Sequence, residues 1–327
     1  MRWQVVIWWL SAALVPGLAI ASCELQVSGP VKATRDGQII ENLDIESSAG
    51  PGISVVGYRD VIIRNVRIRH AFGPGIKLVR AGNTKLDSVE VVNVTGSAGI
   101  GSAGYSNVVC ESSNAVAVRN VKVLHGSSGF YFRDCPFANL TYVEGENFRG
   151  PFPRGQFVQL YRSGNSTLSD FYTKMDPAIS WGEDNVSVIN SANVIIRRGL
   201  IDGNSSPTGV GVMIEHRVEG VEDGLVEDVD ALHMGNGCFA TFSGKRVSFI
   251  NTRCRDNICS DQGRGVPKSG GVGWFALRKA LNVKILNSKY FALCGSVVYP
   301  KRKFEVVDLK KSDFLPRDIE RKGMCWE

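Results

Sequence analysis

The chain has 327 residues, 43% of them hydrophobic and 21% charged, with a formal net charge of +6. About 305 residues remain after a leader, enough for one large domain with its own core. The positive excess is too modest to point to nucleic acid and suits at most anionic partners, such as uronate polymers or a membrane surface; four dispersed histidines and no Cys-x-x-Cys pair argue against zinc.

The N-terminus places one positive charge, Arg2, before the apolar run Val5–Val15, with Pro16 and Gly17 after it. This is the layout of a secretory signal over residues 1–22, and Ala19-Ile20-Ala21 supplies small residues for cleavage after Ala21. The run is shorter than the roughly 20 residues that span a bilayer, and no transmembrane span follows. A rival reading takes Ile20-Ala21-Ser22-Cys23 as a lipobox, with a lipid anchor on Cys23. Both readings export the protein, as a secreted or periplasmic protein or an outer-membrane lipoprotein. Eight cysteines in an exported chain suit disulfides.

Residues 23–327 read as one domain built from a repeat. Ile39-Ile40-Glu41-Asn42-Leu43-Asp44-Ile45, Val61-Ile62-Ile63-Arg64-Asn65-Val66-Arg67-Ile68 and Val116-Ala117-Val118-Arg119-Asn120-Val121-Lys122-Val123 share one frame. Val194–Ile201, Val247–Cys254 and Val283–Tyr290 fit it too. The period is about 23 residues where tightest and about 30 or more where loops are inserted. Each unit holds three short alternating runs, too short for a sandwich, and can bury its apolar face only by stacking on the next. Asn42, Asn65, Asn120, Asn251 and Asn287 fall at a bend that needs left-handed backbone angles, with Ser88, Asp170 and Asp228 in the same place. Tyr142 and Arg198 depart from the pattern.

An asparagine-cornered coil followed by a glycine-bearing loop and an apolar strand resembles the right-handed parallel β-helix superfamily of pectate lyases and polygalacturonases. The resemblance covers nearly the whole mature chain and implies an all-β solenoid of about ten coils. Each coil then runs second strand, corner, third strand, variable loop, first strand. It also implies a binding groove along the outer face of the first strands. Those strands are expected at Ile76–Val79, Phe130–Arg133, Val158–Tyr161, Val186–Val188, Val210–Ile214, Cys238–Phe242 and Val272–Leu277.

Period-two alternation turns Lys77, Tyr131, Arg133, Gln159, Tyr161, Ser187, Met213, Glu215 and Thr241 outward. Aromatic, basic and amide groups of this kind suit a sugar chain. Long loops at Phe148–Gly155, Met175–Asp184, Gly203–Gly209 and Arg255–Gly271 are expected to overhang the groove. Phe152 and Trp181 are candidate sugar platforms, unless Trp181 plugs its own loop; Arg154, Arg264 and Lys268 are candidate anion contacts. Asp176, Glu183, Asp184 and Asp202 are candidate ligands for a calcium ion, as in pectate lyases. A carboxylate pair would instead act as acid and base on a glycosidic bond. Asp184, Glu215, His216 and Arg217 are the candidate catalytic residues. Where polygalacturonases carry their acidic and histidine segments, this chain has Gly182-Glu183-Asp184-Asn185, Ser206-Pro207-Thr208-Gly209 and Gly235-Asn236-Gly237. An intact polygalacturonase centre is therefore absent, and the lyase arginine has no clear match.

His70, His125 and His233 share one coil position, where polar groups bond neighbouring loop backbone. Cys110 and Cys135 follow first strands of adjacent coils and are expected to pair; Cys254 with Cys259, and Cys325 with Cys294, are further pairings. The functional expectation is action on an acidic, uronate-containing polysaccharide by lyase, epimerase or hydrolase chemistry. The alternative is a non-catalytic module that binds polysaccharide or serves as a structural envelope protein.

Overall fold

In the computed structural model, residues 24–95, 105–150, 154–176, 178–217, 223–257 and 271–326 are described. The expectations placed on the leader, Cys23, Phe152, Cys259, Arg264 and Lys268 lie outside them.

Because each coil repeats the same alternation, equivalent strands stack in register and every inter-strand pairing is parallel. Two sheets result. One has 15 strands and carries the second and third strands of each coil; the other has 11 and carries the first strands. Strands such as Ile39–Ala49, Ile62–Phe72 and Lys85–Asn93 bend at the expected corner without breaking the ladder. Coil-to-coil contacts are 23 residues apart at Arg64–Glu41, 28 at Ser163–Cys135 and 36 at Ser288–Thr252. The architecture is a right-handed parallel β-helix, the hand that parallel crossover connections take.

The core is a set of side-chain columns running along the axis. Ile40, Ile63, Leu86, Val118, Leu140, Leu168, Ile196, Val226, Phe249 and Ile285 stack through ten successive strands, all buried. Two strand glycines make room for rings. A Cβ on Gly199 would lie 2.1 Å from the Phe171 ring, and one on Gly145 would lie 2.3 Å from Phe157.

The left-handed corner holds at every expected position: φ is 57° at Asn42, 51° at Asn65, 56° at Ser88, 53° at Asp170 and 49° at Asn287. Tyr142 and Arg198 also adopt it, at 52° and 51°. Arg198 gains a compensating tie, since its guanidinium bonds Asp170 one coil back through two contacts of 2.6 Å. In the histidine column, His70 and Asn147 meet backbone as expected, whereas His233 bonds the Asp202 carboxylate instead. His70 Nδ1 lies 2.8 Å from the Gly73 carbonyl, and Asn147 accepts the Asp176 N–H at 2.8 Å.

Cys110 and Cys135 are disulfide-bonded, although Cys110 lies inside the strand Val108–Glu111 rather than after it. Cys254 is bonded to Cys238 and not to Cys259, because both side chains point into the core from opposite sheets, Cys238 from Gly237–Phe242 and Cys254 from Arg253–Arg255. Cys294 and Cys325 are each disulfide-bonded, but not to one another. The C-terminal tail separates them by turning back along the 15-stranded sheet. Ser312 bonds the Tyr290 carbonyl, and Arg253 lies over the Phe314 ring. Arg317 then bonds Asp230, Arg321 bonds Glu144 and stacks on Tyr172, and Lys322 lies over Tyr142. Gly323 reaches Asn120, while Cys294 stays beside Asn257.

Candidate active site

The first strands fall where expected, at Ile76–Val79, Phe130–Arg133, Val158–Tyr161, Val186–Ile189, Val210–Glu215, Gly237–Phe242 and Val272–Leu277. Their outward column runs Tyr131, Gln159, Ser187, Met213, Ala240, Phe275 and Tyr299. Thr241 is not part of it. It pairs in register with inward-facing Ile214 and is fully buried, so Ala240 and Phe242 take the outer face there. A single apolar run, Val-Gly-Trp-Phe-Ala-Leu, likewise concealed that Trp274 points in and Phe275 out.

A groove of about 1060 Å³ lies over this column. Tyr131, Gln159, Tyr161 and Arg154 line one end, with the Arg154 guanidinium 4.9 Å from the Tyr131 ring centroid. Met213, Val272, Phe275, Leu277 and Tyr299 form an apolar floor toward the other. Loop residues Glu183, Asp184, Pro207 and Thr208 contribute to the wall, as the loop lengths had implied. Asn236, Phe242 and the apolar floor had no distinguishing sequence signal. Lys77 and Arg133 do not line this groove; Arg133 is paired with Glu111 at 2.8 Å. Trp181 is 42% exposed and so is not plugging its loop, and it lies outside the groove lining.

Three carboxylates, Glu183, Asp184 and Glu215, line the groove within electrostatic reach of one another. Asp184 is only 5% exposed, and its Oδ1 accepts the Val210 N–H at 2.9 Å. Burial, reinforced by Glu183, pushes its carboxyl up to about 8. Burial also raises Glu183, helped by Glu215 and opposed by Arg217. Glu215 is held differently, by two bonds from Arg217 at 2.6 and 3.2 Å.

His216 does not join them. Alternation turns it to the other side of the strand end from Glu215, where it is buried beside an adjoining hollow. The four expected calcium ligands do not converge either. Asp202 is bonded to His233 at 2.6 Å on the other sheet, and Asp176 caps its own turn through the Ala178 N–H at 2.7 Å. Among the described residues no three His, Cys, Asp or Glu side chains form a metal-holding group. The donor set does not fit the expected calcium site.

A family model described as the right handed beta helix region matches residues 30–170. Among solved structures, the catalytic domain of a GH87 alpha-1,3-glucanase in complex with nigerose superposes with a TM-score of 0.57 at 10% identity, covering 84% of this chain and 55% of that one. A substituted form of a GH87 alpha-1,3-glucanase catalytic domain, in complex with tetrasaccharides, gives 0.56 at 11% identity with the same coverages. The chain thus spans 55% of the length of these solved relatives. No curated protein matches it in sequence. The chain therefore has the right-handed parallel β-helix fold. Among the described residues, no helix is long and apolar enough to cross a membrane.

Proposed function

We propose that the protein is an exported polysaccharide hydrolase whose groove binds a glycan chain and whose central carboxylates cleave it. The observation that carries this reading is the unequal environment of two carboxylates in one groove. Asp184, buried and pushed up to about 8, keeps its proton at neutral pH. Glu215 is ion-paired with Arg217. Carboxyls in such unequal environments divide the work of glycosidic cleavage. Asp184 gives its proton to the leaving oxygen as the bond to the anomeric carbon breaks. The Glu215 carboxylate stabilises the positive charge developing on that carbon. Water completes the reaction and gives its proton to Glu183.

Lyase and epimerase chemistry on a uronate has less support. The Glu183 and Glu215 carboxylates repel a substrate carboxylate, Asp176 and Asp202 are engaged elsewhere, and Arg217 is tied to Glu215. A polymer is favoured over a single sugar by length. Six inter-strand steps from Tyr131 to Tyr299, at about 4.8 Å each, give roughly 29 Å of floor. Export is supported by the two disulfides joining described cysteines, which suit an oxidising compartment. An even set of cysteines favours simple secretion, since a lipid on Cys23 would leave an odd number.

Mass spectrometry of products from neutral and uronate-containing polymers, in water enriched in heavy oxygen, tests the reading. Saturated fragments carrying one heavy oxygen are expected. Unsaturated fragments would establish a lyase instead, and intact polymer that remains bound would establish a binding module.

A further inference from the structure

The positive charge of this chain is concentrated beside the groove. A hollow of about 1470 Å³ lies against the turns that follow the first strands of the last coils. Among the described residues, eight basic side chains line it against a single acid, Glu305. Arg217 is paired with Glu215, Arg246 with Asp223 and Lys284 with Glu305. Lys245, Arg278, Lys279, Arg302 and Lys303 complete the set. Backbone geometry gathers them, because Arg246 and Arg278 both sit at left-handed turn positions, with φ of 54°. Lys303 donates to the Arg278 carbonyl and so ties the rim across the coils.

The hollow is continuous with the groove. Arg217 and Phe242 line both, and the Arg278 guanidinium lies 5.6 Å from the Phe242 ring centroid. We propose that this basic hollow binds anionic substituents, carboxylate or sulfate, on side branches of the polysaccharide whose neutral backbone lies in the groove. The inference rests on the groove taking a polysaccharide, and it divides the substrate by charge. The acidic centre disfavours a charged unit at the point of cleavage, while the cations a few ångströms along the same surface attract one. Guanidinium groups suit the task because they bond planar or multi-oxygen anions through two contacts. Concavity and the shared wall favour a glycan branch over a bilayer, which presents an extended surface.

Calorimetric titration with sulfated dextran oligomers and with uncharged dextran tests the proposal. Wild type should bind the sulfated oligomers at least tenfold more tightly than the uncharged ones. The double variant Arg278→Ala/Arg302→Ala should lose that advantage tenfold or more, with the lysine double variant intermediate and thermal melting unchanged. Asp184→Asn removes the general acid at a side chain bonded to the Val210 N–H and to no cation of the hollow, so it should bind the sulfated oligomers as wild type does, and a failed cleavage mechanism is separable from a failed anion site. Equal binding by the alanine double variant overturns the proposal, as does wild-type protein that ignores sulfated dextran and instead sediments with phosphatidylserine vesicles.

Discussion

Outside the groove, Asp44, Asp134, Asp170 and Asp223 each meet an arginine one coil away, and that arginine holds the carboxyl below its ordinary range. Inside the groove, burial pushes Glu183 and Asp184 the other way. A solenoid brings residue columns together at fixed spacing, so oppositely charged columns neutralise one another at little design cost. Acids left to desolvation within reach of a concave surface are therefore the informative ones.

The contrast can be broken most severely at Asp184. Asp184→Asn should lower cleavage by about 10²–10⁴-fold, the usual worth of a general acid, while leaving the fold intact. The native state holds this proton up to about pH 8, so the proton's contribution to stability is present in acid and lost as pH rises toward 8. Wild-type activity should hold through neutral pH and fall as pH rises through about 8, where native Asp184 loses its proton, and a pH–rate profile without that alkaline limb would remove Asp184 from the role.

His70 sharpens the comparison from the other side. Burial lowers it from 6.5 to about 4, so the unfolded chain takes up the proton first. Stability should be complete above pH 6.5 and fall toward pH 4, by on the order of 3 kcal/mol. His70→Asn, copying Asn93 at the next coil, should flatten that window in denaturant titrations at pH 7 and 4.5. An unchanged window would place its origin elsewhere.

The smallest effects separate two kinds of ion pair. Arg317→Ala, which strips the tail's contact with fully buried Asp230, should cost about 2 kcal/mol. Arg64→Ala breaks the exposed pair with Glu41 and should cost less than about 1 kcal/mol. Equal melting shifts for the two variants would deny the tail any special part.

How much of this was legible follows from where the information sits. The bend at Asn42 and Asn65 was readable because Asn tolerates its backbone angle, and the strand faces at Tyr131, Gln159 and Glu215 because alternation needs only local sequence. Other corners were not, since stacking imposes left-handed angles on Arg80, Ser112, Ala115 and Phe137, which have no preference for them. The direction of His216 and the partner of Asp202 were hidden for a different reason. His216 lies one residue past the end of its strand, where alternation no longer shows which cavity a side chain meets, and Asp202 pairs with a histidine 31 residues away on a neighbouring coil.

The returning tail has a consequence for how the molecule comes apart. A solenoid coupled only between neighbours behaves like a one-dimensional chain, free to fray from either end through many partly melted states. A strap running from the strand Lys289–Phe291 back to Ala117–Leu124 adds couplings that skip neighbours. End coils then cannot peel without also surrendering contacts at the middle. The strapped span should melt in one sharp step, and the coils before Ala117 are where gradual loosening has room to begin.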